Sequence, residues 1–455
     1  MASNSDELKT QAVACHKAGD HEKALALYGR ALARWPQDVD LLSNLGVLLR
    51  AEKRLEDALE VLFLAHERAP DRLSVRVSLA NILDDMGRHD EAATLRFRIV
   101  EDQPEEPRHV AFLARSLRNA GRLEEAANVL RKQLAKANPT PELRLEYALH
   151  QLSLGNYAEG FRHYLARREA KLVDLPNTDL PRWTGQPIDG KTILVLPEQG
   201  MGDVVNFARF LPYLKERGAT VHLMTRAPVH RLLQGVPGVD AVVTDPVRGT
   251  EYAYWTSGMD IPVDYFHFRQ SVPQPTRLSV PDDSRKRAIS LTQAHRDKLK
   301  VGVAWTGSAG YDRNTMRSVP HRLFRDLADI PGLQLFSLYK GPALSDFYAD
   351  GSAAFILDVA SGDRDLADCA AMIAEMDIVV TVCTVTAHIA GALRKEVWTL
   401  LHWEPFWLYG LEGETTPWYD SMRLFRQEYP YDWTGVFSEV RQGLTDKAED
   451  KAKCV

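Results

Sequence analysis

A repeat with a period of 34 residues fills the first third of the chain, and it restricts the possible folds more than any other feature. Four alanines recur at this interval: Ala24, Ala58, Ala92 and Ala126. Three prolines do the same: Pro36, Pro70 and Pro104, with Pro139 one residue late. A second small position is held by Ala12, Gly46, Ala80, Ala114 and Ala148, and a turn position by Gly19, Gly87, Gly121 and Gly155, with Lys53 the exception. Small residues allow two helices to approach closely, and a proline ends the second one. The pattern therefore predicts stacked helix pairs.

This pattern resembles the tetratricopeptide repeat, which stacks into a curved superhelix with a concave groove. We expect four regular repeats, from about Ser5 to Ala137. A fifth, Pro141 to Arg168, has Gly160 at the second-helix alanine position and predicts a modified capping unit. The resemblance implies a groove for a protein or peptide partner. The alternative is a surface for dimerisation or for architecture alone.

The remainder of the chain alternates between strand-like and helix-like segments. Seven strands are predicted: "TILVLP" at 192–197, "TVHLMT", "AVVTD", "KVGVAW" at 300–305, "LQLFSLY", "DIVVTV" and "EVWTLL". Four helical segments lie between them: "VVNFARFLPYLKERG", "APVHRLLQGVPGV", 366–375 and "TAHIAGALR". This alternation predicts two α/β units with parallel sheets, whose carboxyl ends face a shared cleft.

Composition narrows the classes of function. The net charge of −6 gives no reason to expect nucleic-acid binding. No apolar run approaches the roughly 20 residues that a membrane span needs, and the N-terminus does not resemble a secretory signal. The four cysteines are scattered, which is atypical of a disulfide framework or a zinc site. We expect a cytoplasmic protein with no metal site.

Five blocks make the second part recognisable. In order, they are "PRWTGQPIDGKTILVLPEQGMGDVVNFARF", "VGVAWTGSAGYDRNTMRSVPHRLFRDL", "FSLYKG", "TVCTVTAHIAGAL" and "TPWYDSMRLFRQ". Together with the repeats they resemble bacterial proteins that join tetratricopeptide repeats to a heptosyltransferase-like domain, similar to glycosyltransferase family 9. The implied fold is an α-solenoid followed by a GT-B pair of Rossmann-like domains. The expected divisions are repeats at 5–170, a linker at 171–190, an acceptor domain at 191–295, a donor domain at 296–443 and a flexible tail at 444–455.

The same resemblance implies a reaction. Relatives of this architecture resemble flagellin glycosyltransferases, so the expected activity is metal-independent transfer of a sugar from a nucleotide-sugar donor to a protein serine or threonine. No other cofactor is implied, and the acceptor protein would bind the repeats. Two alternatives stay open. One is a heptosyltransferase-like enzyme acting on a lipid-linked or surface glycan, and the other is a repeat scaffold with an inactive transferase domain.

The loop "LPEQGMGDVVNF" carries the predicted base, Asp203. A hydroxyl is a poor nucleophile at neutral pH, and a nearby carboxylate can remove its proton as the new bond forms. The alternative is that Asp203 only caps the following helix as its N-cap. Glu198 is the reserve base, or else a solvated loop acid. Gln199, Gly200 and Gly202 complete the loop, in which the glycines are expected to provide the turn and a close approach to a ligand.

The resemblance places donor-binding residues in the second α/β unit. Arg317 is expected to neutralise the departing phosphate, with Arg313 as a competitor and a surface arginine as the alternative. Ser318 is expected to cap the next helix, and Asp312 to order the loop. Thr384, Thr386 and His388 surround a strand-to-helix turn whose N–H groups suit phosphate. For His388, the alternative is a half-buried histidine that is bound to a neighbour.

Cys383 departs from the family pattern, which has aspartate at this position. A neutral thiol there suits a donor whose sugar carries a carboxylate, such as a CMP-linked nonulosonic acid. Trp305 and Lys340 lie at the carboxyl ends of predicted strands and are weaker donor-binding candidates, with core packing as the alternative for Trp305. The aromatic residues Trp403, Trp407, Trp418 and Tyr419 could line a sugar site, but packing of the C-terminal segment across the fold is preferred.

Overall fold

The computed structural model describes residues 3–454 apart from Ala137, Asp174, Asn177 and Asp312. The chain divides into two compact units, residues 1–150 and 151–455. The boundary lies within a helix of the fifth repeat, whereas the sequence predicted a repeat domain ending at residue 170. The second helix of that repeat packs within the α/β unit, which explains the difference.

The first unit is a succession of antiparallel helix pairs. Its helices are α1 (Ser3–Lys17), α2 (His21–Arg34), α3 (Val39–Ala51), α4 (Leu55–Arg68), α5 (Leu73–Asp85), α6 (His89–Asp102), α7 (Pro107–Asn119), α8 (Leu123–Leu134) and α9 (Pro141–Ser153), the last of which crosses the boundary. This arrangement confirms the helical solenoid predicted from the 34-residue period.

The repeated small residues and turn residues act as the period predicted. A Cβ atom on Gly46 would lie 2.4 Å from Cγ of Leu62, so α3 and α4 can pack at this distance only with glycine there. The turn inside each pair requires a left-handed residue. Gly19, Gly87 and Gly121 adopt φ of 78°, 72° and 74°, and Lys53 adopts the same conformation with φ of 62°. Lys53 therefore departs from the glycine pattern in sequence but adopts the same left-handed backbone conformation.

The second unit begins with α10 (Tyr157–Tyr164) and α11 (Ala166–Glu169) and then forms a four-stranded parallel sheet. Its strands are β1 (Thr192–Leu196), β2 (Thr220–Met224), β3 (Ala241–Val243) and β4 (Tyr252–Ser257), in the order β3-β2-β1-β4. The accompanying helices are α12 (Met201–Phe207), α13 (Leu211–Glu216), α14 (Ala227–His230) and α15 (Ile261–Phe268), with 3₁₀ turns at Ala208–Phe210 and Arg231–Leu233.

A six-stranded parallel sheet follows. Its strands are β5 (Leu299–Ala304), β6 (Leu333–Ser337), β7 (Ile356–Asp358), β8 (Ile378–Val382), β9 (Glu396–Leu401) and β10 (Met422–Arg426), in the order β10-β9-β8-β5-β6-β7. Renumbered from its first strand, this is the 3-2-1-4-5-6 order of dinucleotide-binding sheets. Its helices are α16 (Asp282–Thr292), α17 (Asn314–Arg317), α18 (His321–Arg325), α19 (Leu344–Ala349), α20 (Leu366–Glu375), α21 (Val385–Ala392) and α22 (Thr434–Cys454), with 3₁₀ turns at Gln293–His295, Asp326–Asp329, Ser352–Ala354 and Trp407–Tyr409.

The seven predicted strands are all present, and both sheets are parallel as expected. Three further strands, β4, β7 and β10, were not predicted. They carry tyrosine, aspartate or arginine among their apolar residues, which hides the pattern of a buried strand. The single helix predicted over "VVNFARFLPYLKERG" is interrupted by the 3₁₀ turn at Ala208–Phe210.

The structure also moves three predicted boundaries. The flexible tail predicted from residue 444 is the second half of α22, and Leu444 (0% exposed) and Ala448 (5%) pack into the core of the six-stranded sheet. The boundary predicted at 295 lies too late, because α16 ends before it but packs on α20 of the following domain, where Ser284 Oγ donates to Asp368 at 2.6 Å. The predicted linker contributes Trp183, whose backbone N–H donates to the carbonyl of Trp255 in β4 at 2.8 Å.

Candidate functional site

The loop after β1 contains a left-handed residue, and it is not a glycine. Gln199 has φ of 60°, whereas Gly200 is extended with φ of −80° and serves as the N-cap of α12. The expectation that the glycines provide the turn is therefore wrong. A non-glycine residue in this conformation costs roughly 1–2 kcal/mol and is retained only where surrounding contacts hold it.

Gly202 has a different task, which is close packing. A Cβ atom on it would lie 2.8 Å from Cδ2 of His388 and 3.4 Å from Cα of Val385. The first turn of α12 therefore lies directly against α21, which follows β8 of the other sheet. Because both helices begin at carboxyl ends of strands, this contact brings the two carboxyl edges together.

Asp203 is the third residue of α12, and its carboxylate accepts the Gly200 N–H at 3.0 Å. It caps the helix from inside the first turn rather than as the N-cap. Burial raises its pKa to about 6; the nearby charge of Glu198 acts in the same direction, and the Gly200 N–H and Arg317 oppose it. A carboxylate with a pKa close to neutral is suited to accept a proton. Capping and basicity therefore coexist in this residue.

Glu198 lies in a different environment, although it is only five residues away. It is 3% exposed, and Nε and Nη2 of Arg167 donate to its two oxygens at 2.6 and 2.9 Å. Ser257 donates a further hydrogen bond to it. Neither the reserve-base role nor the solvated-acid alternative fits, because both oxygens are occupied and shielded from solvent. Glu198 is a buried structural carboxylate.

Arg317, at the end of α17, is held by an amide oxygen, a backbone carbonyl and an aromatic ring. Its Nε donates to Asn314 Oδ1 at 3.0 Å, its Nη1 donates to the Cys383 carbonyl at 2.7 Å, and its guanidinium lies 4.6 Å from the Tyr311 ring centroid. Both of these hydrogen bonds go to uncharged oxygens, one of an amide and one of a backbone carbonyl. Its positive charge is thus available to an anion at the point between β5 and β8 where the strand order reverses.

Two neighbours of Arg317 do not have their predicted roles. Arg313, the competing phosphate ligand, forms an ion pair with Glu404. Ser318 was expected to cap the following helix, but α18 has Pro320 as its N-cap, and the Ser318 hydroxyl donates to the Asn314 carbonyl at 2.6 Å. It therefore closes α17 instead of opening α18. Asp312, expected to order this loop, lies outside the described residues.

The turn before α21 has the expected form. Thr384 is the N-cap of α21, and neither its hydroxyl nor any other side chain caps the helix. Thr384 and Thr386 are buried, at 8% and 5% exposed. His388 matches its alternative interpretation, because Nδ1 lies 3.0 Å from the Tyr419 hydroxyl, which donates to Asn206 Oδ1 at 2.8 Å. Burial lowers the pKa of His388 to about 3, so the ring is neutral at pH 7.

Cys383 directly follows β8, and burial raises the pKa of its thiol, with Tyr409 and Arg317 beside it. Trp305 is a core residue, 2% exposed and stacked on Phe347 at 5.2 Å, so it does not present its ring to a ligand. Lys340 is exposed, and its ammonium donates to the Asp363 carbonyl. The packing alternative therefore holds for Trp305, and Lys340 does not join Arg317.

The C-terminal aromatic segment packs across the fold, as the preferred interpretation stated. Trp418 is fully buried, and its carbonyl accepts from Nη1 of Arg209 at 2.6 Å. Trp407 lies 5.6 Å from Phe161 of α10. Trp403 stacks near Tyr431, at 4.6 Å between centroids. These residues fix the position of the segment instead of lining an open sugar site.

Sequence reasoning did not find Tyr409 or Tyr311. Tyr409 is 1% exposed, and its hydroxyl lies beside the Cys383 thiol. Burial raises its pKa, as do the neighbouring Cys383 and Asp203. The block "HWEPFWLYG" ends with this tyrosine before a glycine, but nothing in one sequence distinguishes it from the surrounding aromatic residues.

Comparisons with known proteins extend over both parts of the chain. Models described as tetratricopeptide repeat match residues 16–72, 49–116 and 113–170. The chain contains tetratricopeptide repeats. A relative named Protein FlbA, from Caulobacter vibrioides, is 26% identical over 453 residues, which cover 92% of this chain and 74% of that protein.

Solved structures of repeat proteins are similar to part of the chain. One is a tetratricopeptide repeat protein from Parabacteroides merdae, 20% identical, with a TM-score of 0.34, covering 37% of this chain and 67% of that one. Another is a thermophilic repeat protein from Thermus thermophilus, 22% identical, with a TM-score of 0.31, covering 37% and 92%.

Two kinds of feature are absent from the described residues. No helix in that part of the chain is both long and apolar enough to span a membrane. No group of three or more histidine, cysteine, aspartate or glutamate side chains there is arranged to hold a metal ion.

Proposed function

We propose that the chain is a glycosyltransferase of the GT-B, heptosyltransferase-like kind, which moves a sugar from a nucleotide donor to a serine or threonine of a protein without a metal ion. The observation that supports this most directly is that a carboxylate and a guanidinium follow the carboxyl edges of two neighbouring parallel sheets. Asp203, with its raised pKa, follows one sheet, and Arg317, a cation whose described hydrogen bonds go to uncharged oxygens, follows the other.

The proposed chemistry uses these groups in one displacement. The acceptor hydroxyl gives its proton to the Asp203 carboxylate while its oxygen attacks the anomeric carbon of the donor sugar. The bond between that carbon and the phosphate oxygen breaks, and the nucleotide departs with the electron pair. Arg317 and the N–H groups at the start of α21 stabilise the negative charge that develops on the phosphate.

The repeats would supply the acceptor. Tetratricopeptide repeats commonly present a concave surface to a protein or peptide, and this stack precedes the proposed transferase in the same chain. A repeat-bound protein is therefore the proposed acceptor, and flagellin is the first one to test.

The neutral thiol of Cys383 supports one class of donor. An aspartate at this position would lie beside Arg317 and neutralise it, whereas the thiol leaves the cation available. A donor whose sugar carries its own carboxylate, such as a CMP-linked nonulosonic acid, would complement that positive charge. We therefore propose this class ahead of neutral-sugar donors.

A thermal-shift panel of CMP-, UDP-, GDP- and ADP-linked sugars tests the donor, because a ligand at 100 times its Kd stabilises the folded state by about 2.7 kcal/mol. We expect stabilisation by the CMP-linked acidic sugar. Intact-mass analysis of flagellin incubated with the enzyme and that donor then measures transfer. Binding of ADP-heptose alone would favour a glycan acceptor, and binding of no donor would favour the inactive scaffold.

A further inference from the structure

A buried group of charged residues connects α10 and α11 to the carboxyl edge of the four-stranded sheet. At its centre is Arg167, which is 1% exposed. Its guanidinium binds both oxygens of Glu198 and donates to Asp260 Oδ1 at 2.8 Å. Glu198 follows β1 and Asp260 follows β4, so one arginine joins the ends of two adjacent strands.

The rest of the group reinforces this connection. Arg168 donates to Asp260 at 2.7 Å and to the Ser257 hydroxyl at 3.2 Å. Arg182 lies 3.2 Å from Asp260. Three arginines thus surround two buried carboxylates, and each carboxylate has more than one cationic partner. Buried ionic groups of this kind fix one geometry strongly, because breaking a contact leaves a charge uncompensated.

A second contact reaches the next residue of the loop. The Gln199 side chain donates from Nε2 to the Tyr164 hydroxyl at 3.3 Å, and the Gln199 carbonyl accepts from Arg226 Nη1 at 3.4 Å. The Tyr164 ring itself lies 4.8 Å below the Arg167 guanidinium. Gln199, the left-handed residue, is therefore held through its side chain by Tyr164 of α10 and through its backbone carbonyl by Arg226, which lies two residues after β2.

These contacts precede Asp203 by only a few residues. Glu198 and Gln199 are fixed by Arg167 and Tyr164, Gly200 gives its N–H to Asp203, and α12 begins there. The position of the Asp203 carboxylate thus depends on where the loop is held. We infer that Arg167 and Tyr164 are positioning residues, which hold the loop so that Asp203 meets the acceptor hydroxyl.

This inference rests on the proposed function, and it gives the last repeat helix a role beyond recruiting a partner. The repeat match extends to residue 170, so Tyr164 and Arg167 belong to the repeats by sequence. Their contacts nevertheless lie with residues 198, 199 and 260 of the second unit. The helix that ends the repeats would then form part of the active-site framework.

Tyr164→Phe tests the inference with little risk to folding, because it removes only the hydroxyl that Gln199 contacts. We expect amide hydrogen exchange in peptides covering residues 198–204 to accelerate about 2- to 10-fold, the range for loss of one net hydrogen bond. We expect kcat to fall by a similar factor while the KM for the donor stays unchanged. Tyr213→Phe is the matched control, since it removes a buried hydroxyl bonded to Asp264 at 2.6 Å away from this loop.

Glu198→Gln adds a readout that a purely structural role would not affect. The negative charge of Glu198 raises the pKa of Asp203, so its removal should move the acidic limb of the pH–kcat profile to lower pH. Arg167→Lys keeps the positive charge but loses the two-pronged contact, and we expect it to lower kcat more than Tyr164→Phe does.

The possible results separate this inference from the proposed function. Faster exchange at 198–204 together with a lower kcat supports it. Unchanged exchange or unchanged kcat in Tyr164→Phe, beside an active wild type, overturns the positioning role and leaves the proposed function standing. An inactive wild type overturns the proposed function and, with it, the role of Arg167 in positioning a catalytic base, and the exchange data then decide the loop contact separately.

Discussion

The first loop of the four-stranded sheet and the first loop of the six-stranded sheet occupy the same topological position, but they carry opposite charges. The loop after β1 carries Glu198 and Asp203, and the loop after β5 leads to Arg317. In the first, the charge nearest the strand is cancelled by arginines and the second carboxylate is left with a raised pKa. In the second, the described hydrogen bonds of Arg317 go to uncharged oxygens, and the carboxylate that feels its charge is Asp203 of the first loop. Two similar scaffolds can therefore divide proton acceptance and anion binding between them.

The loops also differ in how they are held. The loop after β1 is short and contains the left-handed Gln199, and side chains of α10 and α11 fix it. The loop after β5 is longer, and Asn314 ties it together: its amide donates to the Thr306 hydroxyl at 2.9 Å, and its Oδ1 accepts from the Gly307 N–H at 3.2 Å. The loop that leads to Asp203 is thus held by helices outside the four-stranded sheet. Arg317 is held by residues of the six-stranded sheet's own loops.

Replacing the Asp203 carboxylate should have the largest effect on activity, because it removes the proposed proton acceptor of the first loop. Asp203→Asn keeps an oxygen that can accept the Gly200 N–H but cannot take a proton, so capping survives and catalysis does not. We expect kcat to fall by about 10²- to 10⁴-fold, the usual contribution of a positioned acid or base. Steady-state transfer assays measure this, with circular dichroism as the folding control. Activity near that of the wild type would show that Asp203 only caps α12.

Removing the cation should have the next largest effect. Arg317→Met should weaken donor binding about 10- to 150-fold, the loss expected for a charge-assisted bond to phosphate or carboxylate. Arg313→Met is the matched control, because Arg313 is already paired with Glu404. Isothermal titration with the nucleotide sugar distinguishes them. Equal losses in both variants would refute the separate role of Arg317.

Adding a negative charge at Cys383 should test whether the second loop depends on an uncancelled positive charge at Arg317. Cys383→Asp would place a carboxylate beside Arg317, and we expect about 5- to 20-fold weaker binding of an acidic-sugar donor through loss of the free cation. Cys383→Ser is neutral and of similar size, so it should bind as the wild type does. Tighter binding by Cys383→Asp would instead support a neutral-sugar donor of the heptose type.

The smallest expected effect is a change in how the free energy of unfolding depends on pH in Asp203→Asn. Because the pKa of Asp203 is raised to about 6 by burial, its stabilising contribution is present below its unfolded pKa and is lost as pH rises through 6. Asp203→Asn should therefore match the wild type near pH 4 and be more stable above pH 7, by about 1–2 kcal/mol once partial exposure is allowed for. Denaturant unfolding at both pH values measures this. A variant less stable at pH 8 would contradict the raised pKa.

The sequence predicted the repeats and both parallel sheets, because each rests on local periodicity. The spacing of alanines and prolines defines the helix pairs, and apolar runs such as "DIVVTV" define buried strands. Gly202 was noticed in sequence, but its role depends on His388, which is 186 residues away and packs against it.

The environment of each charge was harder to predict. Glu198 and Asp203 look alike in sequence, and only the arrival of Arg167 from α11 separates them. Ser318 was expected to cap the helix that starts near Pro320, yet its hydroxyl closes the preceding turn. The residue type indicated the possible chemistry at these positions, and contacts distant in sequence determined which group is paired.

The division within α9 has a consequence for how such chains exchange parts during evolution. The visible repeats extend to residue 170, but the second compact unit begins at Gln151. A genetic crossover placed after the last repeat would separate Tyr164, Arg167 and Arg168 from Glu198 and Asp260, with which they fit. A crossover before Tyr157 would transfer them together. Lineages that acquire new repeats should therefore inherit their last repeat helix with the α/β unit.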